Sequence, residues 1–383
     1  MRIGIVAGEP SGDRLAAGLI QAIRQRDPTA RFYGMAGPQM IAAGCEQRFS
    51  IDQLSVMGFF EVLRQYWALR RLRDDVVRCF LDDPPDVFIG VDVPDFVLGV
   101  EARLRGAGIR TAHLVSPTVW AWRPGRVATV VRAADLLLCI FPFEPAYYAG
   151  TALRCEFVGH PLADEIPLEI DRAAQRERLG VAGDARILAL LPGSRSQELQ
   201  LCAQAFLETA ARVQQQYPSI RCLCAPIDER AASTIRAARE RWTPQLKLEL
   251  HTGAARELLC ASDVALITSG TTTVEALLAK CPAVVAYRLS WPSYLLARTL
   301  VHTPFIAMAN IIAGRALFPE FIQHAVRAEP MAAAVMAWLD DAERVREMRA
   351  TGAALHAEMR RGAAERAAAA VLALAAKGAA LPD

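Results

Sequence analysis

At 383 residues the chain has room for two domains, each with its own hydrophobic core. Hydrophobic residues make up 53% and charged residues 22%, the profile of a folded soluble protein with a slight apolar lean. The formal net charge of +2 is too balanced to argue for nucleic acid, and no stretch approaches the roughly 18 apolar residues a membrane span needs.

The chain opens on MRIGIVAG, whose short apolar run ends in a glycine turn and an amphipathic helix (13–26). A first core strand (2–7) reads this way and a secretory signal does not. The turn AGEPSGD (7–13) sits where a nucleotide phosphate often binds, yet it carries Glu9 and Asp13. A helix start favours an anion by about 0.3–1 kcal/mol, and these two carboxylates already use that field. They would repel a diphosphate and suit hydroxyl or amine donors instead. The plainer alternative makes Asp13 an exposed acid of the first turn.

After a second strand (31–35) comes VMGFFEVLRQYWALRRLRDDVVRCF (56–80), with a helix expected over 58–81. Phe59, Val62, Leu63, Tyr66, Leu69, Val76, Val77 and Phe80 form one stripe, enough for packing on a sheet. Phe60 and Trp67 lie a heptad apart off its middle, and Arg64, Arg71 and Arg78 recur at the same spacing beside them. Aromatics edged with arginines fit a surface that meets anionic lipid; an ordinary solvated basic edge accounts for the same pattern.

The segment PPDVFIGVDVPDFVLG (84–99) holds a strand (86–91) with Asp92 at its carboxyl end and Pro94 blocking further pairing. Asp95 directly precedes the next helix (96–106), which gives it an N-capping duty. Asp92 has no such duty and is the candidate general base, against the alternative of a loop carboxylate in some turn. A further strand (111–115) leads to Ser116, Trp120 and Trp122; aromatic faces there can stack on a sugar, although packing between domains is their more frequent use. Strands at 136–140 and 154–158 complete the first half, and Pro161 and Pro167 in the polar, turn-rich stretch 158–180 mark an inter-domain connection.

In ILALLPGSRSQELQ (187–200) a strand (186–191) runs through a Pro-Gly turn into a helix. Gly193 lets backbone approach a ligand, Ser194 or Ser196 can cap the helix, and Arg195 adds a fork of donors at its positive end. A plain cap with a surface arginine is the alternative. Strands at 221–225 and 247–250 follow, and Cys222 and Cys224 alternate onto one face of the first. The nine cysteines form no C-x-x-C pair and no His/Cys grouping at metal spacing, so buried free thiols of a reducing cytosol are expected and no metal is.

After a strand at 264–267, Ser269, Gly270, Thr271 and Thr272 offer backbone N–H groups and hydroxyls with no acid among them. Glu275, three residues after Thr272, fits a capping box or a carboxylate accepting from a ribose diol; spacing does not decide between them. Beyond a last strand (283–287), Asn310 in MANIIAGRALFPE (308–320) can both donate and accept, and Gly314 lets the chain approach closely.

Strands and helices thus alternate nearly throughout, which implies an α/β protein with two Rossmann-like, doubly wound domains facing across a cleft. The expected division is 1–163, 164–329 and a helical end, 330–383, that is open to packing back on the first domain. Ligands of such sheets bind outside the carboxyl ends of the strands. The sign of the loops then assigns a sugar-like, hydroxyl-rich partner to the acidic first domain. The nucleotide diphosphate goes to the second, whose helix openings are uncharged or cationic.

In order along nearly the whole chain, AGEPSGD, MAGPQM, VMGFFEVL, GVDVPDF, SPTVWAWR, LPGSRSQE, SGTTTVEALLAKCP and NIIAGR resemble the lipid-A-disaccharide synthases, bacterial glycosyltransferases of GT-B architecture. The resemblance implies transfer of 2,3-diacylglucosamine from UDP-2,3-diacylglucosamine to 2,3-diacylglucosamine 1-phosphate, with inversion and release of UDP. It makes Asp92 important for activity and puts Glu9 and Ser11 near the acceptor or reaction centre. Arg195, Glu275 and Asn310 are implied around UDP and the cleft. It implies no cofactor, and a cytoplasmic enzyme held peripherally on the anionic inner face of the inner membrane; a homodimer is left open. Pro10 and the threonine run 271–273 are minor departures from the family's motifs. The rival enzyme is a related GT-B protein, such as a UDP-GlcNAc 2-epimerase or a transferase for another lipid-linked sugar. An oxidoreductase is poorer because no G-x-G-x-x-G follows the first strand. A non-catalytic sugar-binding module would have no use for Asp92.

Overall fold

A computed structural model describes residues 1–55, 62–121, 125–181, 185–300 and 303–379. The chain forms two compact units, one of Met1–Asp164 with Met359–Asp383 and one of Glu165–Glu358.

The first unit is a seven-stranded parallel sheet of β1 (Arg2–Ala7), β2 (Arg31–Ala36), β3 (Cys45–Ser50), β4 (Val87–Val91), β5 (Arg110–Leu114), β6 (Leu136–Cys139) and β7 (Arg154–Phe157), in the order β3-β2-β1-β4-β5-β6-β7. Its helices are α1 (Pro10–Arg26), α2 (Pro38–Ala42), α3 (Asp52–Ser55), α4 (Val62–Asp82), α5 (Pro94–Gly106) and α6 (Arg126–Ala133). Apart from Arg2 at its exposed start, β1 is apolar along its length, as is β4, because both faces are covered. Ile3 and Ile5 bury one face against Ile20 and Ile23 of α1, while Val6, Met35 and Phe88 bury the other against α4 and α5. The stripe expected on α4 is used here: Leu69, Val76, Val77 and Phe80 pack on that second face. Phe80 is fully buried and meets Phe88 edge-on at 5.0 Å. Truncating such a side chain to alanine costs about 3–5 kcal/mol. Phe59 lies outside the described residues, as do the side chains of Val62, Leu63 and Tyr66.

The second unit is a six-stranded parallel sheet of β8 (Ile187–Leu191), β9 (Arg221–Cys224), β10 (Leu248–Leu250), β11 (Val264–Thr268), β12 (Ala283–Tyr287) and β13 (Glu320–Ile322), in the order β10-β9-β8-β11-β12-β13. The chain passes into it through α7 (Pro161–Glu165) and α8 (Arg172–Arg178). Around the sheet lie α9 (Ser196–Gln216), α10 (Glu229–Trp242), α11 (Ala255–Ala261), α12 (Thr271–Leu278), α13 (Trp291–Leu300), α14 (Met308–Ala313), α15 (Ala328–Asp340) and α16 (Ala342–Met359). Helix α17 (Ala363–Ala379) returns to the first unit, where Ala368, Val371 and Leu374 join the core beside α1. The helical end therefore does not act as one block. Trp338 of α15 is buried in the second unit, its Nε1 donating to the Ala283 carbonyl at 3.2 Å. All nine cysteines are free, and burial pushes Cys222 and Cys224 each up to about 12.

Candidate active site

In the first sheet the strand order reverses between β1 and β4, the place where doubly wound sheets bind ligands. Ala7 and Val91 are register partners, so the loop carrying Glu9 and the one carrying Asp92 leave the sheet side by side. Asp92 is half-buried, and its carboxylate makes no hydrogen bond or ion pair among the described residues. Its backbone is left-handed, with φ 54°, as are Val93 at 43° and Val115, just past the neighbouring β5, at 79°. Left-handed backbone costs an L-residue about 1–2 kcal/mol, and such outliers gather at functional sites.

That turn changes the role expected of Asp95. The chain enters α5 at Pro94, with Val93 as an N-cap that makes no side-chain bond. Asp95 instead pairs with Arg126 of α6, and its carbonyl accepts from Arg73 Nη2 at 2.8 Å.

The two acids of the opening turn part company. Glu9 is the N-cap of α1 in extended backbone, makes no capping bond, and is exposed along with Ser11. Asp13 is buried and accepts three backbone N–H groups, from Gly37 at 3.1 Å, Gln39 at 2.9 Å and Met40 at 3.0 Å. It is neither an exposed acid nor a ligand group; it satisfies the start of α2, leaving Glu9 as the charge at the loop's surface. Ser116 is buried with its hydroxyl 3.0 Å from Tyr148 Oη, and Trp120 packs edge-on to Phe143 within the first unit. Trp122 lies outside the described residues.

The second sheet reverses between β8 and β11, and a pocket of about 510 Å³ opens there. Gly193, Ser194 and Arg195 line it after β8, and Ser269, Gly270, Thr271 and Thr272 line it after β11. Gly193 and Gly270, with φ 113° and 142°, turn the chain in conformations that only glycine enters freely. Thr271 and Thr272 form the first turn of α12, whose N–H groups have no acceptor inside the helix. The Ser269 hydroxyl donates to the Ile306 carbonyl at 2.8 Å.

The opening of α9 is different from what its residues suggest. Its N-cap is Arg195, not Ser194 or Ser196, and Glu198 Oε2 accepts from the backbone nitrogens of Ser194 at 3.2 Å and Arg195 at 3.3 Å. A carboxylate thus occupies this helix start, with the Arg195 side chain, 77% exposed, 3.8 Å from its other oxygen. The uncharged opening belongs to α12. Glu275 makes no capping box with Thr272, because the N-cap is Gly270; its carboxylate stands 3.9 Å from Arg256 Nη2. Asn310 is fully buried and away from the pocket lining: Nδ2 donates to the Phe318 carbonyl and to Glu320 Oε1, both at 2.8 Å, and Oδ1 accepts from Phe318 N at 2.7 Å. Gly314, with φ 65°, ends α14 as its C-cap.

Among the lining residues that the sequence did not point to are Glu198 and Ile227. Glu198 carried the signal of an acid three residues into a helix, and Ile227, 58% exposed in the loop after β9, stands past the carboxyl end of a strand. Of the residues expected at lipid, Phe60 and the side chain of Arg64 lie outside the described residues. Trp67 is 56% exposed with the Arg70 guanidinium 5.7 Å from its ring, and Arg71 is exposed. No described helix is long and apolar enough to cross a membrane.

Two doubly wound parallel sheets, each reversing its strand order at a switch point, define the GT-B class. The fold matches a calicheamicin glycosyltransferase with TM-score 0.64 at 16% identity, over 99% of both chains. It also matches a UDP-GlcNAc 2-epimerase from Methanocaldococcus jannaschii in complex with UDP-GlcNAc and UDP, with TM-score 0.59 at 12% identity over 90% of this chain and 94% of that one. The lipid-A-disaccharide synthetase family model matches residues 3–374. Lipid-A-disaccharide synthases from Serratia proteamaculans and Escherichia coli strain SE11 are 44% and 42% identical, each over 98% of both chains. The chain belongs to the lipid-A-disaccharide synthase family, and the rival epimerase reading is not favoured.

Proposed function

We propose that the protein transfers 2,3-diacylglucosamine from its UDP derivative to 2,3-diacylglucosamine 1-phosphate in lipid A biosynthesis, with Asp92 as general base. The free carboxylate of Asp92, on strained backbone at the switch point of the first sheet, carries this reading. It takes the proton from the acceptor 6-hydroxyl as that oxygen attacks the anomeric carbon. The bond from that carbon to UDP breaks as the new glycosidic bond forms, so one displacement inverts the centre. Glu9 and Ser11, exposed at the start of α1 beside that turn, meet hydroxyls of the acceptor.

The UDP moiety fits the pocket of the second unit. Its diphosphate suits the first turn of α12, since Glu198 already fills the opening of α9. Arg195 extends an exposed fork of donors toward the developing charge on the leaving group. Glu275 is the ribose contact in this scheme, one helix turn beyond the lining residues Thr271 and Thr272. Asn310, spent on Phe318 and Glu320, supports the fold of the second unit and has no direct part. The exposed Trp67 and Arg71 of α4 serve to dock the enzyme on anionic lipid, where acylated substrates reside. Incubating the protein with both acylated sugars and following UDP and disaccharide by mass spectrometry tests the reading. Formation of both products is expected, and UDP-sugar hydrolysis or epimerisation alone would remove it.

A further inference from the structure

The opposite edge of the second sheet, where β8 and β11 begin, gathers guanidinium groups that the transfer reaction does not use. A second pocket of about 310 Å³ lies there, lined by Arg186, Asp263, Trp338, Val345, Arg346 and Arg349 among others. The lining carboxylate, Asp263, is already committed. It is held by Arg172 Nη2 at 3.1 Å, by Arg176 Nη2 at 2.8 Å and by the backbone nitrogen of Ile187 at 2.8 Å. Asp340 nearby accepts from Tyr217 Oη at 2.6 Å, and Arg186 lies over that tyrosine's ring at 5.6 Å.

Arg346 and Arg349 have no hydrogen bond or ion pair among the described residues. Arg349 is half-buried, and burial, followed by the proximity of Arg172, holds its pKa below the ordinary value. Cations crowded and partly desolvated in this way are relieved by an anion. Trp338 and Val345 give the pocket an apolar wall, and Arg344 lies 4.0 Å over the Trp338 ring as one more positive charge.

We infer that this pocket is a second anion site, one that takes a phosphate monoester bearing an organic group. Guanidinium forks match phosphate oxygens two at a time, and the apolar lining of Leu339, Ala342 and Val345 meets the organic part. Five residues of β8 separate this edge from the nucleotide pocket, roughly 16 Å at about 3.3 Å per residue. A phosphate held here is therefore not the donor diphosphate. It comes either from a soluble sugar or glycerol phosphate or from the headgroup of a phosphatidic-acid-like lipid.

The test uses the full-length protein saturated with UDP, so that the nucleotide pocket is filled. Glycerol 3-phosphate is titrated by calorimetry, and vesicles of phosphatidylcholine with and without phosphatidic acid are offered in parallel as competitors. Saturable binding is expected, weakened about tenfold or more by Arg349→Gln and by Arg346→Ala, with UDP affinity unchanged. Arg346 is exposed, so its variant keeps the test valid should Arg349→Gln fold poorly. Competition by phosphatidic acid assigns the site to a lipid headgroup, and binding without competition assigns it to a soluble phosphate. The absence of saturable binding by either probe, or binding indifferent to both substitutions, would overturn the inference.

Discussion

Glu198 Oε2 stands 3.2 Å from the backbone nitrogen of Ser194 and 3.3 Å from that of Arg195, so a carboxylate occupies the opening of α9 at the pocket of the second unit. A glutamine there keeps a carbonyl oxygen for the same N–H groups and removes a charge that repels diphosphate. Glu198→Gln should tighten UDP binding about 3–10-fold, equivalent to about 0.6–1.4 kcal/mol. Calorimetric titration of UDP checks this; weaker binding would show that the carboxylate itself organises the loop for the ligand.

Asp13 is buried and joins α1 to α2 by accepting three backbone N–H groups. An asparagine in its place would offer one acceptor oxygen and turn an amide toward donors. Asp13→Asn should therefore cost about 2–3 kcal/mol of stability, read as a lower melting temperature of the first unit. Turnover per folded molecule should stay within about twofold of wild type at a temperature where the variant is folded. A large loss of turnover with unchanged melting would return Asp13 to the reaction.

His160 is buried against Phe141, at 5.1 Å between rings, and its Nδ1 accepts from Leu162 N at 3.2 Å. Burial lowers its pKa from 6.5 to about 4. The unfolded chain therefore takes up this proton first as pH falls. The neutral histidine's full contribution is present above about pH 6.5 and is lost progressively toward pH 4, about 3 kcal/mol in all. The melting temperature of His160→Gln should lie below wild type at pH 7.5 and close on it by pH 5. A gap independent of pH would mean that the imidazole's pKa does not change on folding, and a gap that widens toward pH 5 would mean that the imidazole is protonated inside the fold.

On α4, Trp67 and Arg71 are exposed on the helix whose other face packs on the sheet. Each basic residue near an anionic bilayer contributes about 1 kcal/mol. Replacing both by alanine should reduce co-sedimentation with phosphatidylglycerol vesicles by about tenfold or more while leaving UDP binding intact. Unchanged sedimentation would place the membrane contact elsewhere.

The parallel sheets were legible because their strands are apolar without alternation, as RIGIVA and ILALL show. The strands β3 and β13 escaped notice: CEQRFS is a polar strand at the sheet edge, and EFI is three residues long. The glycine turns after β8 and β11 identified the pocket because a glycine between a strand and a helix marks backbone that side-chain-bearing residues avoid. The residue type of Asp13 did not show which way its carboxylate faces. A polar side chain in a strand-to-helix loop looks the same whether it faces a ligand or closes backbone groups inside the fold, and only burial separates the two. The left-handed backbone of Val93 left no trace either, since a β-branched residue rarely enters that region.

In the proposed reaction Asp92 acts on the acceptor while UDP is held by the other unit. The measurement that reaches this most directly is steady-state turnover of Asp92→Asn beside its UDP affinity by calorimetry. General-base catalysis is worth about 10²–10⁴ in rate, so kcat should fall by that factor with the dissociation constant for UDP unchanged. Turnover near wild type, or a loss explained by weaker UDP binding, would contradict it.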